Sequence, residues 1–514
     1  MINITHMLDR AANEFGDRIA YSDQNKSITY AELKNNAGRI ATYLADIKGR
    51  NEIKPETALC FYMEKSVDAI IVMFAGMYLN LFYSFIDIRQ TSNRAESIIS
   101  VLEPAFIITD ESNEEALRSL SLNEEVSKNI ILISDLIRKI DKVCTDELYL
   151  YEISKYYYDK MPLYVNFTSG STGIPKGVVV GHASVIEFIN EFTAVFSISD
   201  KDVIANQAPF DFDVSVKDIY SGLFTGAKVV LIPREYFSSP AVLMDYLCDN
   251  KVTTLIWAVS AMCFVSIMNG LEYKTPDTIN KIMFSGELMP VKQLNKWKKY
   301  LPDAMYVNLY GPTEITCNCT YHILEREYDK DEVIPAGIPF KNEKVFLLDD
   351  NDREVKLPDI EGEICVGGSC LALGYYKDRK KTDEVFIQNP LNNRFNEQIY
   401  RTGDLGKYDD KGLLYYTSRK DFQIKHMGQR IELSDIDVSV MSLDGVSRAC
   451  TIYDMKHKKI ILFYTGEADK EAVSKELKLK LPPFMLPSKT VRLDEFPLNK
   501  NGKIDRSALE KYDK

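Results

Sequence analysis

Short apolar runs rich in β-branched residues recur along the chain, with helically spaced stretches between them. The runs read "AFIIT" at 105–109, "IILIS" at 130–134, "KVVLI" at 228–232 and "VTTLIWA" at 252–258; helix-like stretches include 186–196 and 240–250. Strands that are apolar on both faces belong in parallel sheets, because crossover helices then cover both sides. The expected class is therefore α/β. From about residue 344 the texture changes to short strands broken by Gly and Asp turns, as in "KVFLLDDNDREV", "GEICVGG" and "GKYDDKGLLYYT". These predict a small antiparallel sheet or barrel-like subdomain.

A chain of 514 residues exceeds one ordinary core, so two or more domains are expected. The charge balance marks a boundary near "SRKDFQIK" at 418–425. Residues 422–514 carry a net +3, whereas residues 1–421 carry −15. We divide the chain into a large unit, 1–420, and a small one, 421–514. The overall charge of −12 argues against a nucleic-acid binder with a broad basic surface. Nine scattered cysteines lack a disulfide-framework spacing, and Cys317–Cys319 has no second Cys/His pair at zinc spacing. The N-terminus has no signal-peptide pattern. Together these features point to a cytoplasmic protein with reduced thiols. The uncharged stretch Ala69–Ile86 is long enough to span a membrane, but it contains Gly76 and Asn80 and lies between Asp68 and Asp87. A buried helix running into a buried strand fits it better.

The segment "YVNFTSGSTGIPKG", Tyr164–Gly177, points to chemistry. Glycines let backbone N–H groups approach oxyanions, hydroxyls donate hydrogen bonds and a lysine supplies charge, so a phosphate-binding loop is expected. Its spacing is not that of a P-loop NTPase. A flexible linker is the plain alternative, although linkers seldom carry Ile-Pro-Lys into an apolar strand.

This loop resembles the phosphate loop of the adenylate-forming superfamily. The chain is similar to that family in further motifs, in order: "ITYAEL" (28–33), "FDFDVS" (210–215), "NLYGPTE" (308–314), "GEICVGGSCLALGYY" (362–376), "YRTGDLG" (400–406), "SRKDFQIKHMGQRIELSDID" (418–437), "LPPFMLP" (481–487) and "NKNGKIDR" (499–506). Within the family it most resembles D-alanine–carrier-protein ligases and stand-alone adenylation domains of nonribosomal peptide synthesis. Two departures are the peptide-synthetase-like "ITCNCTYHIL" after Glu314, and Ser418 where the family has glycine. The resemblance implies a large N-terminal domain of α/β subdomains with a small β-barrel-like subdomain, then a small mobile α+β domain.

It also implies a two-step reaction. A carboxylate attacks the α-phosphate of ATP, held with Mg2+, and the acyl-adenylate then passes to a phosphopantetheine thiol. Thr168, Ser169, Gly170, Ser171, Thr172, Gly173 and Lys176 match the phosphate loop, and Glu314 the Mg2+-associated carboxylate. Asn308, Tyr310, Gly311, Thr313 and Tyr416 fall at nucleotide-binding positions, and Asp404 suits the ribose hydroxyls. Arg419 is expected to reach the same nucleotide. Lys503 would bridge the substrate carboxylate and ribose during adenylation, and Asp421 would be the hinge about which the small domain swings. Asp213 matches the carboxylate that pairs with a substrate α-ammonium, although an aspartate there also suits a helix N-cap. The other pocket positions by motif are Val214, Lys217, Trp257, Met283, Ser285, Leu309, Cys317 and Asn318.

Ligation of an amino acid to a carrier is therefore expected. An acyl- or aryl-CoA synthetase has no use for Asp213, and an inactive homologue would tend to lose Lys503 or Glu314. No carrier domain follows residue 514, so a separate carrier protein is the expected partner, and carriers are typically acidic. The pocket suggests a small amino acid, alanine- or serine-like, with an acidic one second. Lys217 has three readings: it pairs with Asp213, binds an acceptor on the substrate, or snorkels to solvent as a wall.

Overall fold

The computed structural model describes residues 3–168, 175–329, 332–420, 423–455, 457–497, 504 and 506–511, the last group without the side chains of 507, 510 and 511. Two mostly parallel sheets dominate. One has seven strands, in the order Gly374–Tyr375, Lys176–Gly181, Pro162–Thr168, Phe82–Phe85, Ala58–Tyr62, Phe106–Thr109 and Ile130–Leu132. The other has nine, in the order Ile338–Pro339, Thr320–Ile323, Met305–Tyr310, Lys281–Ser285, Thr254–Ala258, Val203–Asn206, Lys228–Leu231, Ile19–Ser22 and Ser27–Thr29. Their central strands run parallel, and antiparallel pairs lie at the edges. Helices between the sheets bury one contiguous core with residues from both, including Phe61, Tyr83, Tyr164, Ile219, Met283 and Val307.

The stretch beginning at Ala69 is no membrane span. Ser66 caps a 12-residue helix, Val67–Tyr78, by accepting from Ala69 N–H, and the chain turns into the buried strand Phe82–Phe85. No helix among the described residues is long and apolar enough to cross a membrane.

The glycine-punctuated region folds as expected into a five-stranded antiparallel sheet containing Glu343–Leu348, Gly362–Gly368, Gln398–Tyr408, Phe386–Gln388 and Leu414–Arg419. Beyond residue 422, strands Val446–Asp454, Lys459–Gly466 and Lys489–Arg492 form a sheet backed by the helices Leu433–Met441 and Lys470–Lys480. These residues have their own core around Ile436, Leu462, Tyr464 and Leu477. Preceding them is a two-stranded hairpin, Gln423–His426 with Gln429–Glu432. Its two-residue loop, Met427 and Gly428, has φ of 53° and 78°, the signs required by a type I′ turn.

The Val214–Thr225 helix joins the core to the site and ends on Gly226, whose φ is 79°. A Cβ there would also stand 2.6 Å from the Phe15 ring. Gly226→Ala should therefore cost about 2–4 kcal/mol, from left-handed strain plus overpacking. Gly412 has φ of 77° but nothing within 4 Å of its would-be Cβ, so Gly412→Ala should cost only about 1–2 kcal/mol. Urea unfolding of the two variants checks this; equal losses would contradict it.

Candidate active site

The carboxyl ends of the parallel strands, the antiparallel sheet and the hairpin 423–432 enclose connected cavities. The largest, about 340 Å3, is lined by Asn308, Leu309, Tyr310, Asp404, Tyr416 and Arg419, with Gly286, Lys425 and Tyr453 among the other walls. Asp404 is buried, and its two oxygens are separately engaged. Oδ2 accepts from the Tyr310 hydroxyl at 2.6 Å and Oδ1 from Arg419 at 2.5 Å. Asn308 donates to the Pro335 carbonyl at 2.8 Å, which fixes its side chain at the cavity edge. Tyr310 and Tyr416 lie with ring centroids 6.3 Å apart.

A smaller cavity of about 40 Å3 adjoins the first and is lined by Asp213, Val214, Ser285, Cys317 and Asn318, with Gly311 and Thr313 at its mouth. Its wall depends on a tight reversal of the chain. After the short 3-10 turn Thr313–Ile315, Thr316 and Cys317 take left-handed φ values of 52° and 76°. Cys319 N–H can then donate back to the Tyr310 carbonyl at 2.8 Å. A Cβ on Gly311 would stand 2.5 Å from Asn318 Cα, so only glycine permits this closeness. The reversal brings Cys317 Sγ to the Asp213 carbonyl at 3.0 Å and turns Asn318 inward.

Asp213 sits at the N-cap position of the Val214–Thr225 helix, yet its side chain makes no capping hydrogen bond. Burial pushes its carboxyl up, against the opposing pulls of Thr313, Lys217 and Lys425. Lys217, one turn further, is fully buried and does not snorkel. Its ammonium donates to Asn318 Oδ1 at 2.7 Å and Ser285 Oγ at 3.2 Å. Met283 lies on the same strand face as Ser285, completely buried in the core behind the pocket.

Trp257 requires a correction. Its strand pairs Trp257 with Phe284 and Ala258 with Ser285, so Trp257 faces away from the pocket and Ala258 faces toward it. The indole packs against Phe237 and Trp297 in a separate core and donates to the Ala205 carbonyl at 2.9 Å. Leu309 likewise lines the larger cavity rather than the smaller.

The hairpin brings to the site further residues of the 418–437 motif, beyond Arg419. In its register Gln423 faces Glu432 and Lys425 faces Arg430, and all four side chains share one face. That face meets the large domain. Arg430 pairs with buried Glu314 at 2.7 and 2.9 Å, and Glu432 meets Lys176 at 3.4 Å. Gly428 N–H donates to Glu287 at 2.9 Å. Lys425 opens onto both cavities, and its enclosure lowers the ammonium from its usual range despite Asp404 and Asp213. Burial likewise lowers Lys176, to about 8.

Thr168 and Lys176 pair across the strands that flank the phosphate loop. Ser169, Gly170, Ser171, Thr172, Gly173, Asp421 and Lys503 lie outside the described residues. No three His, Cys, Asp or Glu side chains among the described residues gather as a metal cage.

A third cavity, about 50 Å3, runs between Gln90, Arg94 and Asn166 on one side and Phe484 and Met485 on the other, and ends at Asp213, Thr313 and Arg430. Gln90 Oε1, Arg94 Nε and Asn166 Oδ1 are buried there without a hydrogen-bond partner among the described residues.

A family model described as "AMP-binding enzyme" matches residues 8–376. The chain is 30% identical over 504 residues to Zwittermicin A synthase ZmaJ of Bacillus cereus, covering 96% of this chain and 92% of that protein. It is 29% identical to Surfactin synthase subunit 1 of Bacillus subtilis over 98% of its own length, but spans only 14% of that much longer protein. Among solved structures, AlmE from Vibrio cholerae, in complex with glycyl-adenosine-5'-phosphate, superimposes with a TM-score of 0.82 at 20% identity, covering 100% of this chain and 98% of that one. Holo-PA1221, an NRPS protein containing adenylation and PCP domains, gives 0.79 at 23% identity over 99% and 84% of the two chains.

The Glu314 contact carries a pH signature. Burial raises this carboxyl, but Arg430 and the Tyr375 hydroxyl at 2.8 Å more than offset burial and hold it below the usual range. A carboxyl depressed by docking stabilises the docked hairpin above its ordinary range and loses that contribution as pH falls through its lowered value. Docking should therefore hold at pH 7 and weaken only once pH falls below the ordinary glutamate range. Removing one member of a buried pair costs about 3–5 kcal/mol, so Arg430→Gln should speed proteolytic cutting near the hairpin at least about tenfold at pH 7. Equal cutting of variant and parent would refute the contact.

Proposed function

Because the chain belongs to the AMP-binding enzyme family, the adenylate-forming superfamily, we propose that it activates a small amino acid as its aminoacyl-AMP, releasing pyrophosphate, and transfers it to the phosphopantetheine thiol of a separate carrier protein. The observation that carries this reading is Asp213: a buried carboxylate shared by the two smaller cavities and not used as a helix cap. A carboxylate so placed suits an α-ammonium, which a fatty or aryl acid lacks. The short cavity between Val214, Ser285, Cys317 and Asn318 favours a short side chain.

We assign the large cavity to the nucleotide, with Tyr310 and Tyr416 beside adenine, Asn308 at its edge, and Asp404 with Arg419 at the ribose. Thr168, Lys176 and the loop between them, with Gly311 and Thr313, would hold the phosphates. Glu314 fits a Mg2+ site, since it is buried and already holds a cationic group in Arg430. Mg2+ would supply charge that neutralises the phosphates, with Glu314 as one of few protein ligands. Glu314 cannot serve Arg430 and Mg2+ together, so hairpin docking belongs to the stage after pyrophosphate has left. The third cavity would then admit the pantetheine arm, whose amides suit the unpaired groups of Gln90, Arg94 and Asn166. Asp421 is the proposed hinge and the border between units 1–420 and 421–514, with Lys503 the lysine that hinge motion presents during adenylation.

Two variants test the reading. Lys503→Ala should nearly abolish adenylate formation while largely sparing transfer from a supplied aminoacyl-adenylate; equal loss of both halves would sink its role. Asp213→Asn should lower amino-acid activation about ten- to hundred-fold, the worth of a charge-assisted hydrogen bond, but affect propionate far less. Comparable losses on both would make Asp213 structural.

A further inference from the structure

Lys217 is a buried charge directly behind two walls of the amino-acid pocket, Ser285 and Asn318, and neither step proposed above uses it. Its three N–H donors meet two neutral acceptors, Ser285 and Asn318, and both acceptors line the cavity. Among the described residues no protein acceptor meets the third donor, and Lys217 is fully buried.

Charge balance identifies what this ammonium awaits. The carboxylates acting on Lys217 through space are Asp213 and Asp218. Asp218 accepts from Asn206 at 2.7 Å and also feels the buried Lys65 ammonium. Asp218 is therefore shared between two lysines, and Asp213 is the cavity-lining carboxylate that helps to offset Lys217 before substrate arrives. A substrate ammonium paired with Asp213 takes that compensation away. The substrate's own α-carboxylate belongs on the nucleotide side, where Arg419 and Lys425 stand, so a neutral side chain would leave Lys217 with only the shared Asp218 as counter-charge in a poorly solvated space, which is costly. A substrate side chain with its own carboxylate supplies the missing local counter-charge at that end of the pocket. Because Lys217 lies one helical turn beyond Asp213, one ligand can meet both on the same helix face. The pocket is also short, walled by Val214 and Cys317.

Resting on the activation reading above, we propose that the substrate is an amino acid with a short anionic side chain, aspartate or a close analogue, whose carboxylate is bound by Lys217. Lys217 is then the specificity-determining residue, and Ser285 and Asn318 hold it in place. This reverses the order expected from sequence, in which a neutral small side chain ranked ahead of an acidic one.

The test is amino-acid-dependent pyrophosphate exchange by the intact protein, with aspartate, glutamate, asparagine, alanine and serine compared by kcat/KM. Aspartate should exceed asparagine and alanine by at least about tenfold, since the neutral isostere leaves the charge unbalanced. Lys217→Met should lower the ratio of aspartate to alanine kcat/KM at least about a hundredfold. A merely structural lysine would depress all substrates alike. The wild-type ranking needs no variant, so misfolding of Lys217→Met would not shield the proposal. A wild-type preference for alanine, serine or asparagine overturns the substrate class and leaves amino-acid activation standing. Exchange with no amino acid overturns both.

Discussion

The ion pair between Arg430 and Glu314 is the contact on which the arrangement of this molecule turns. A buried carboxylate is tolerable only beside a cation, and Glu314 lies fully buried, in contact with the Tyr375 hydroxyl. Here the cation comes from the small domain, on a hairpin whose other inward residues, Lys425 and Glu432, face Asp404 and Lys176. The hairpin therefore docks as a strip of charges complementary to the site. The same carboxylate is our candidate for Mg2+. One side chain serving two cations in turn is a simple way to keep two half-reactions from running in the same arrangement.

The pocket beside it is made by backbone more than by side chains. The left-handed pair Thr316 and Cys317, and the close pass of Gly311 against Asn318, set the wall opposite the Val214–Thr225 helix. Such backbone conformations persist only where the surroundings hold them, and here they aim Asn318 at Lys217. Asp213 lines that short space, and Lys217, one helix turn on, stands directly behind its walls Ser285 and Asn318.

Much of this was legible in the sequence. The apolar runs at 105–109, 228–232 and 252–258 do lie in parallel sheets, and the motifs bring Asn308, Tyr310, Asp404, Tyr416 and Arg419 to one cavity. Trp257 was misplaced for a physical reason. Its strand is apolar on both faces because both are buried, so no alternation reveals which residues point at the pocket. Lys425 and Arg430 went without a role because their positions depend on docking between domains, and a polar hairpin looks the same whether it faces solvent or a carboxylate. Lys217 stayed open because three readings of a lysine differ only in where its ammonium ends, and that is decided by Ser285 and Asn318, far away in sequence.

The most direct test of the shared carboxylate is hydrogen exchange of the hairpin amides, 423–432, with and without saturating Mg2+ and a nonhydrolysable ATP analogue. If Mg2+ and Arg430 compete for Glu314, the hairpin should be protected in the free protein and exchange markedly faster when the metal–nucleotide complex is bound. Unchanged protection on binding would contradict the alternation.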